Sequence, residues 1–285
     1  MRRLHILHRT YYNFAGPVTL GAHRLLLRPR EGQALQIESS SLDITPTALV
    51  RWSRDEYDNS IAFATFNSST RQLAIISDVV VKHHDESPLD FIVDERAENY
   101  PFTLDPESAF VLQPSLSMTG TDADRTALKA WLSGYWQPGQ PVQTYALLWQ
   151  LCSGIHGTFT YQSREEEGIQ PVAETLQKRS GSCRDFAQLF IAAARHFGLA
   201  ARFVSGYLHA EATTLDYGAT HAWAEVYLPG PGWKGFDPTI GEVASSKHIA
   251  TAVGRLGEAL APISGSFFGP PGSTMSVGVW VSELR

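Results

Sequence analysis

Cys183 stands between small residues in the stretch SGSCRDFAQLF, where a run with helical spacing begins. Ser182 reads as a helix N-cap, and Asp185, three residues later, completes a weak capping-box pattern. Phe186, Leu189, Phe190, Ala193 and Phe197 recur at helical spacing, and Gly198 supplies a stop. Ile191 and Ala194 make the helix apolar on more than one side, as expected of a central, buried element. A cysteine in the first turn meets unpaired N–H groups and the positive end of the helix dipole. Both favour a thiolate, and the same N–H groups suit a developing oxyanion. The helical pattern alone leaves Cys183 equally readable as a small core residue.

A thiolate that accepts an acyl group also needs an acid for the leaving amine. In THAWAEVYLP, Ala222, Ala224, Val226 and Leu228 form one continuous apolar face. His221, Trp223, Glu225 and Tyr227 form the other, so His221 points away from its strand's core face. The turn LPGPGW follows, and then Asp237 in GFDPT. Such a hairpin brings Asp237 near His221, where it can orient the imidazole. Register is open at this level: a symmetric turn on PGPG leaves the two a few rungs apart.

The elements that must position these residues fall into two textures. The first hundred residues carry short strand-like runs, LHILHRTYY, HRLLLR, LQIE, IAFATF and LAIISDVVV, separated by Pro/Gly/Asn/Asp/Ser clusters. This pattern suits a sandwich or a small barrel. The stretch DPESAFVLQPSLSMTGTDAD reads as a linker. Helices are predicted over DRTALKAWLSGYW and VQTYALLWQLCSGI and from Cys183, then strands over AARFVSGYLHA, THAWAEVYLP and the tail MSVGVWVSEL.

The blocks G-S-C-R-D-F-A, T-H-A-W-A-E-V-Y-L-P-G-P-G-W and F-D-P-T resemble the Cys, His and Asp blocks of the transglutaminase-like superfamily. The opening H-R-T-Y-Y with P-V-T-L-G-A-H-R-L-L-L-R-P-R is similar to the N-terminal β domain of its bacterial members. H-I-A-T-A-V-G-R with A-P-I-S-G is similar to the segment after their aspartate. The resemblance implies an α+β chain: an N-terminal antiparallel β-sandwich over residues 1–110, then a papain-like core over 111–285 with a C-terminal strand. In that core a central helix packs on an antiparallel sheet. It also implies a triad with Cys183 as nucleophile, His221 as acid/base and Asp237 as orienter, acting on peptide or glutaminyl amides through a thioester. Hydrolysis, by a protease or deamidase, is the expected outcome, by association with bacterial relatives. Crosslinking by amine transfer, a binding module that keeps the fold without turnover, and acetyl transfer from a thioester donor are the alternatives. The last has no basic pocket signature. Calcium dependence belongs to animal members and is not carried over, because no matching acidic cluster is visible. The partner is then a protein or peptide substrate.

Around the triad, Tyr161 and Gln162 in GTFTYQS are oxyanion candidates, or simply a strand aromatic beside a polar turn. Trp223 and Trp233 are candidate walls of a substrate channel, or packing residues. Arg184, beside the nucleophile, either lies solvated at the helix rim, touches an acidic substrate group or supports the thiolate.

Other features exclude classes. The net charge is −6 with no dense Lys/Arg run, so the chain is not expected to bind nucleic acid. No stretch reaches bilayer-spanning length, and MRRLHILHRTYY is too interrupted for a signal peptide. A cytoplasmic chain with reduced thiols and no membrane contact is therefore expected. A Cys152–Cys183 bridge, which would remove the nucleophile, is open at this point; otherwise Cys152 reads as core. Gly230, Gly232 and Gly235 satisfy G-x-G-x-x-G, but an Asp-Pro turn follows where a dinucleotide site needs a helix. His83–His84–Asp85 reads as a solvated strand end, since adjacent side chains on a strand point to opposite faces. No G-x-S-x-G elbow occurs, and no cofactor or metal is expected.

Overall fold

The computed structural model describes residues 1–84, 87–164, 166–209 and 220–284. Its first part is a two-sheet sandwich. The long strand β1 (Arg2–Leu20) pairs antiparallel with β6 (Ser69–His83), which pairs with β3 (Leu35–Thr45). The second sheet joins β2 (His23–Leu25), β5 (Ser60–Phe66) and β4 (Ala48–Arg54), the last a strand that the turn signals did not separate. Phe14, Val18, Leu25, Leu73 and Ile75 fill the space between the sheets together with Ala62. Alternation in IAFATF thus turns the alanines inward and leaves Phe63 exposed.

The second part is an antiparallel sheet. Its strands are β7 (Ala201–Leu208), β8 (His221–Leu228), β9 (Gly232–Asp237) and β10 (His248–Gly254), with Glu242–Val243 at the margin. The spatial order is 242–243, β9, β8, β7, β10. Ala210, the last residue of the predicted strand AARFVSGYLHA, lies outside the described residues. The helices are α1 (Pro106–Leu116), α2 (Asp122–Leu132), α3 (Thr144–Thr158), α4 (Val172–Lys178) and α5 (Cys183–His196). Helix α5 lays Phe186, Leu189, Phe190 and Ala193 against Ala222, Ala224, Val226 and Leu228 of β8. Each large apolar side chain buried this way contributes about 1.5–3 kcal/mol relative to exposure.

The stretch read as a linker corrects the sequence reading. Asp105 caps α1 by accepting from Ser108 N–H at 2.9 Å, and Pro106 occupies the first turn, where a missing N–H costs nothing. Residues 110 and 111, on either side of the expected domain boundary, both lie inside this helix. Pro114 and the exposed Phe110 and Val111 hid it: its apolar residues do not mark one face. The tail strand β11 (Ser273–Glu283) forms as its alternation suggests, and it pairs with β1 across Leu4↔Glu283 to Phe14↔Ser273. The chain therefore closes on its own first strand.

The two parts are fastened along β7 and β10. Tyr207 and Ile249 pack with Leu4, Ile6, Val79 and Val81. Asn59, fully buried, serves as a strand partner for Val253: its Nδ2 donates to the carbonyl at 2.7 Å, and its Oδ1 accepts from the N–H at 2.8 Å. Arg30 N–H donates to Ala250 O at 2.8 Å. Among the described residues no helix is long and apolar enough to cross a membrane.

Candidate active site

Topology collects the chemistry at one end of the second sheet. A short turn joins the end of α5 to the start of β7, so α5 begins where β7 finishes. Gly206 of β7 pairs with His221, and Leu208 pairs with His248. The hairpin register, Leu228↔Gly232 through Ala224↔Phe236, returns Asp237 to the same end. The β7–β10 pairing shifts between Ser205 and Gly206, a bulge beside the site. A Cβ on Gly206 would lie 2.2 Å from Ile249 O and 2.9 Å from the Trp223 ring, so this close approach needs glycine.

Cys183 opens α5. Asp185, fully buried, accepts from Ser182 N–H and Ser182 Oγ at 2.8 Å each, from Arg164 Nη1 at 2.7 Å and from Gln170 N–H at 2.7 Å. Burial pushes this carboxyl up, but Arg164, Gln170 N–H and Ser182 outweigh it and hold it below the usual carboxylate range. The capping box is thus real, and its carboxylate also ties Arg164 and Gln170 to the start of α5.

His221 Nε2 meets Asp237 Oδ2 at 2.6 Å. Burial opposes charge on the imidazole, yet Asp237 overcomes it and a hydrogen bond with Cys183 adds to the effect, so the ring is pushed up to about 10. Asp237 is wholly buried, and Thr239 N–H donates to its other oxygen at 2.9 Å. Burial works against its charge; His221 and His248 prevail and hold it well below the usual range. With Nε2 committed to Asp237, Nδ1 is the ring nitrogen left for Cys183.

The remaining predicted residues divide. Thr160–Tyr161 runs parallel to Ser180–Gly181, and Gln162 N–H donates to Gly181 O at 2.9 Å, so Tyr161 and Gln162 lie beside the approach to Cys183. The Gln162 main-chain N–H is thereby used, which leaves its side chain for any oxyanion role. Arg184 is half-buried, and its Nη2 donates to Arg164 O at 3.1 Å and to Glu166 O, which ties it to that loop. Trp223 reaches the site as a packing residue, only 2% exposed, with its ring stacked on His221 and its edge on His248. Trp233 does not reach it. It pairs with Tyr227, six residues along β8 from His221 and about 20 Å away at strand spacing, with the Arg202 guanidinium 4.1 Å above its ring.

Cys152 and Cys183 are both free thiols, which removes the bridge left open above. Cys152 is buried in the core, where desolvation pushes its thiol up, so it does not compete as a nucleophile. Gly230 and Gly232 occupy the hairpin turn with φ of +99° and +77°, the conformation that requires glycine there. His83 is buried, not solvated; His84 is exposed, and Asp85 lies outside the described residues.

Sequence reasoning passed over His248. Its Nε2 lies 3.1 Å from Asp237 Oδ2, the oxygen that also accepts from His221. Its only sequence signal was position, a histidine opening a strand-like segment after the aspartate. His221, Asp237 and His248 offer ligand atoms within 4.8 Å of one another. Both Nε2 atoms are spent on Asp237 Oδ2, so the trio is organised as a hydrogen-bonded chain, and a cation bound through those nitrogens would have to displace both bonds.

A helix-initial cysteine packed on an antiparallel sheet that carries a His–Asp pair defines a papain-like α+β fold of the transglutaminase-like class. Residues 140–238 match the transglutaminase-like superfamily, and residues 4–82 match the bacterial transglutaminase-like N-terminal region. An uncharacterized protein of Mycobacterium tuberculosis is 31% identical, covering 93% of this chain and 88% of its own. One from Mycobacterium leprae is 32% identical over 39% of this chain and 40% of that one. A Cytophaga hutchinsonii structure, provisionally described as a cysteine protease, superposes with a TM-score of 0.76 at 21% identity, covering 100% of this chain and 91% of the other. The chain belongs to the bacterial transglutaminase-like family.

Proposed function

We propose that this protein is a cysteine-dependent acyl-transfer enzyme that hydrolyses peptide or glutaminyl amide bonds through a thioester on Cys183. The observation that carries the reading is the seat of His221, hydrogen-bonded to Asp237 at 2.6 Å and with the Cys183 thiol among the groups that raise its proton affinity. An imidazolium beside Sγ and the positive end of α5 both stabilise negative sulfur. The thiolate attacks the carbonyl carbon. The developing oxyanion falls near the first-turn N–H of Cys183, which has no acceptor within the helix. His221 gives its proton to the departing amine, then takes one from the water that releases the acid. Asp237 keeps the ring in place throughout. The partner is a protein or peptide, and the working state is the reduced thiol of a cytoplasmic setting.

The test offers the reduced protein a glutamine peptide and a general peptide pool, each with and without a primary amine. Shortened or deamidated product and a Cys183-bound acyl group support hydrolysis. Product joined to the amine would replace hydrolysis with crosslinking. No product and no acyl-enzyme would overturn the enzymatic reading in favour of a binding module.

A further inference from the structure

We infer that His248 is a positioning residue for this site, and that the N-terminal sandwich holds it there. The inference rests on the functional reading above for its consequence, but its geometry stands separately. Ser245 N–H donates to His248 Nδ1 at 3.2 Å, so that nitrogen is an acceptor and carries no proton. The ring proton must then sit on Nε2, which lies 3.1 Å from Asp237 Oδ2. His248 is therefore a neutral donor to the oxygen that receives His221. Thr239 N–H holds the other oxygen. Two fixed donors leave the carboxylate one orientation, and the ring of His221 follows it.

His248 is in turn held from the sandwich side. His83 Nε2, at the end of β6, lies 3.3 Å from His248 O. Ile249 next to it is buried with Leu4, Val79 and Val81, and Asn59 grips Val253 farther along β10. The strand that carries His248 is thus docked on the N-terminal sandwich at His248, Ile249, Ala250 and Val253. The role that follows for the sandwich is to set the angle of Asp237. His248 touches no reacting atom and moves no proton in this scheme.

The experiment compares the native full chain with His248→Gln, His248→Ala and His248→Phe. Gln restores an N–H donor near the position of Nε2; Phe fills the space without one. Histidine-selective 15N NMR of the native protein should show His248 with its proton on Nε2, and a low-field proton from His221 Nε2–H. The low-field proton should persist in the Gln variant and broaden or vanish in Ala and Phe. Alkylation of Cys183 by iodoacetamide at about pH 6, where an ordinary thiol is mostly protonated, should fall about 10–100-fold in Ala and Phe and recover in Gln. A His248 proton on Nδ1, an unchanged low-field signal in folded Ala or Phe, or a Gln variant no better than Phe would overturn the inference. If the NMR pattern holds while native Cys183 alkylates no faster than a free thiol, the positioning stands and the enzymatic reading falls.

Discussion

His221 Nε2 and Asp237 Oδ2 meet at 2.6 Å although their hairpin sets the two residues out of line. Ala224 pairs with Phe236, so the next step of that register puts Asp237 opposite Trp223, two positions from His221. Diagonal neighbours across a sheet are within reach of a long side chain, and the imidazole spans the gap. The contact is buried, and burial makes it both strong and sensitive to pH.

The pH dependence has a definite sign. His221 is pushed up to about 10, so its contribution to stability is complete below its unfolded value, about 6.5, and fades as pH rises toward 10. Asp237 is held down, so its contribution is complete above about pH 4 and fades as pH falls. Urea denaturation of native protein and Asp237→Asn should therefore differ most between about pH 4 and 6.5 and converge toward pH 10. A gap that widens on the alkaline side would contradict the ion pair.

Turnover should depend unequally on the three site residues. Cys183→Ala should show no acyl-enzyme at all. His221→Ala and Asp237→Asn should each lower kcat by about 10²–10⁴-fold, with KM for the same peptide little changed. Single-turnover assays on a peptide found to be cleaved would check this. A loss expressed only in KM would move His221 from chemistry to binding.

Asp185→Ala should be among the most damaging changes away from the reacting groups. It strips the cap from α5 and removes the buried carboxylate from the guanidinium of Arg164, leaving it only the exposed Glu166 at 3.6 Å. A loss of about 2–4 kcal/mol in urea denaturation is expected. Hydrogen exchange should speed up at Gln170 and Ser182, whose N–H groups Asp185 accepts.

Asn59→Ala should loosen the junction between the two parts. The N–H and C=O of Val253 both lose their buried partner, a cost of about 2–4 kcal/mol. Amide exchange along β10 should rise more than exchange within the β1–β6 pair. Equal protection of β10 in the variant would show that apolar packing alone suffices there.

Periodicity and caps made much of this molecule legible. Ser182, Asp185 and the Phe186–Phe197 spacing marked α5, because helical repeat and capping are local properties of a dozen residues. The two faces of β8 were readable for the same reason, and the order Cys183, His221, Asp237 pointed to the chemistry. Helix α1 escaped because two prolines and exposed apolar residues obscure its pattern, although Asp105 and Pro106 form a proper start.

What the chain determined by itself were the parts whose physics is local: which residues open the helix, which faces are apolar, and which side chains can carry charge. Tertiary structure decided how they meet. Whether His221 reaches Asp237 depends on register, which a two-residue slip would undo. Trp223 and Trp233 look alike in sequence, yet sheet pairing buries one beneath His221 and carries the other six residues away. His248 gains its place only because β10 crosses back beside β7 and the sandwich holds it there. Such contacts join residues far apart in the chain, so no short stretch contains them.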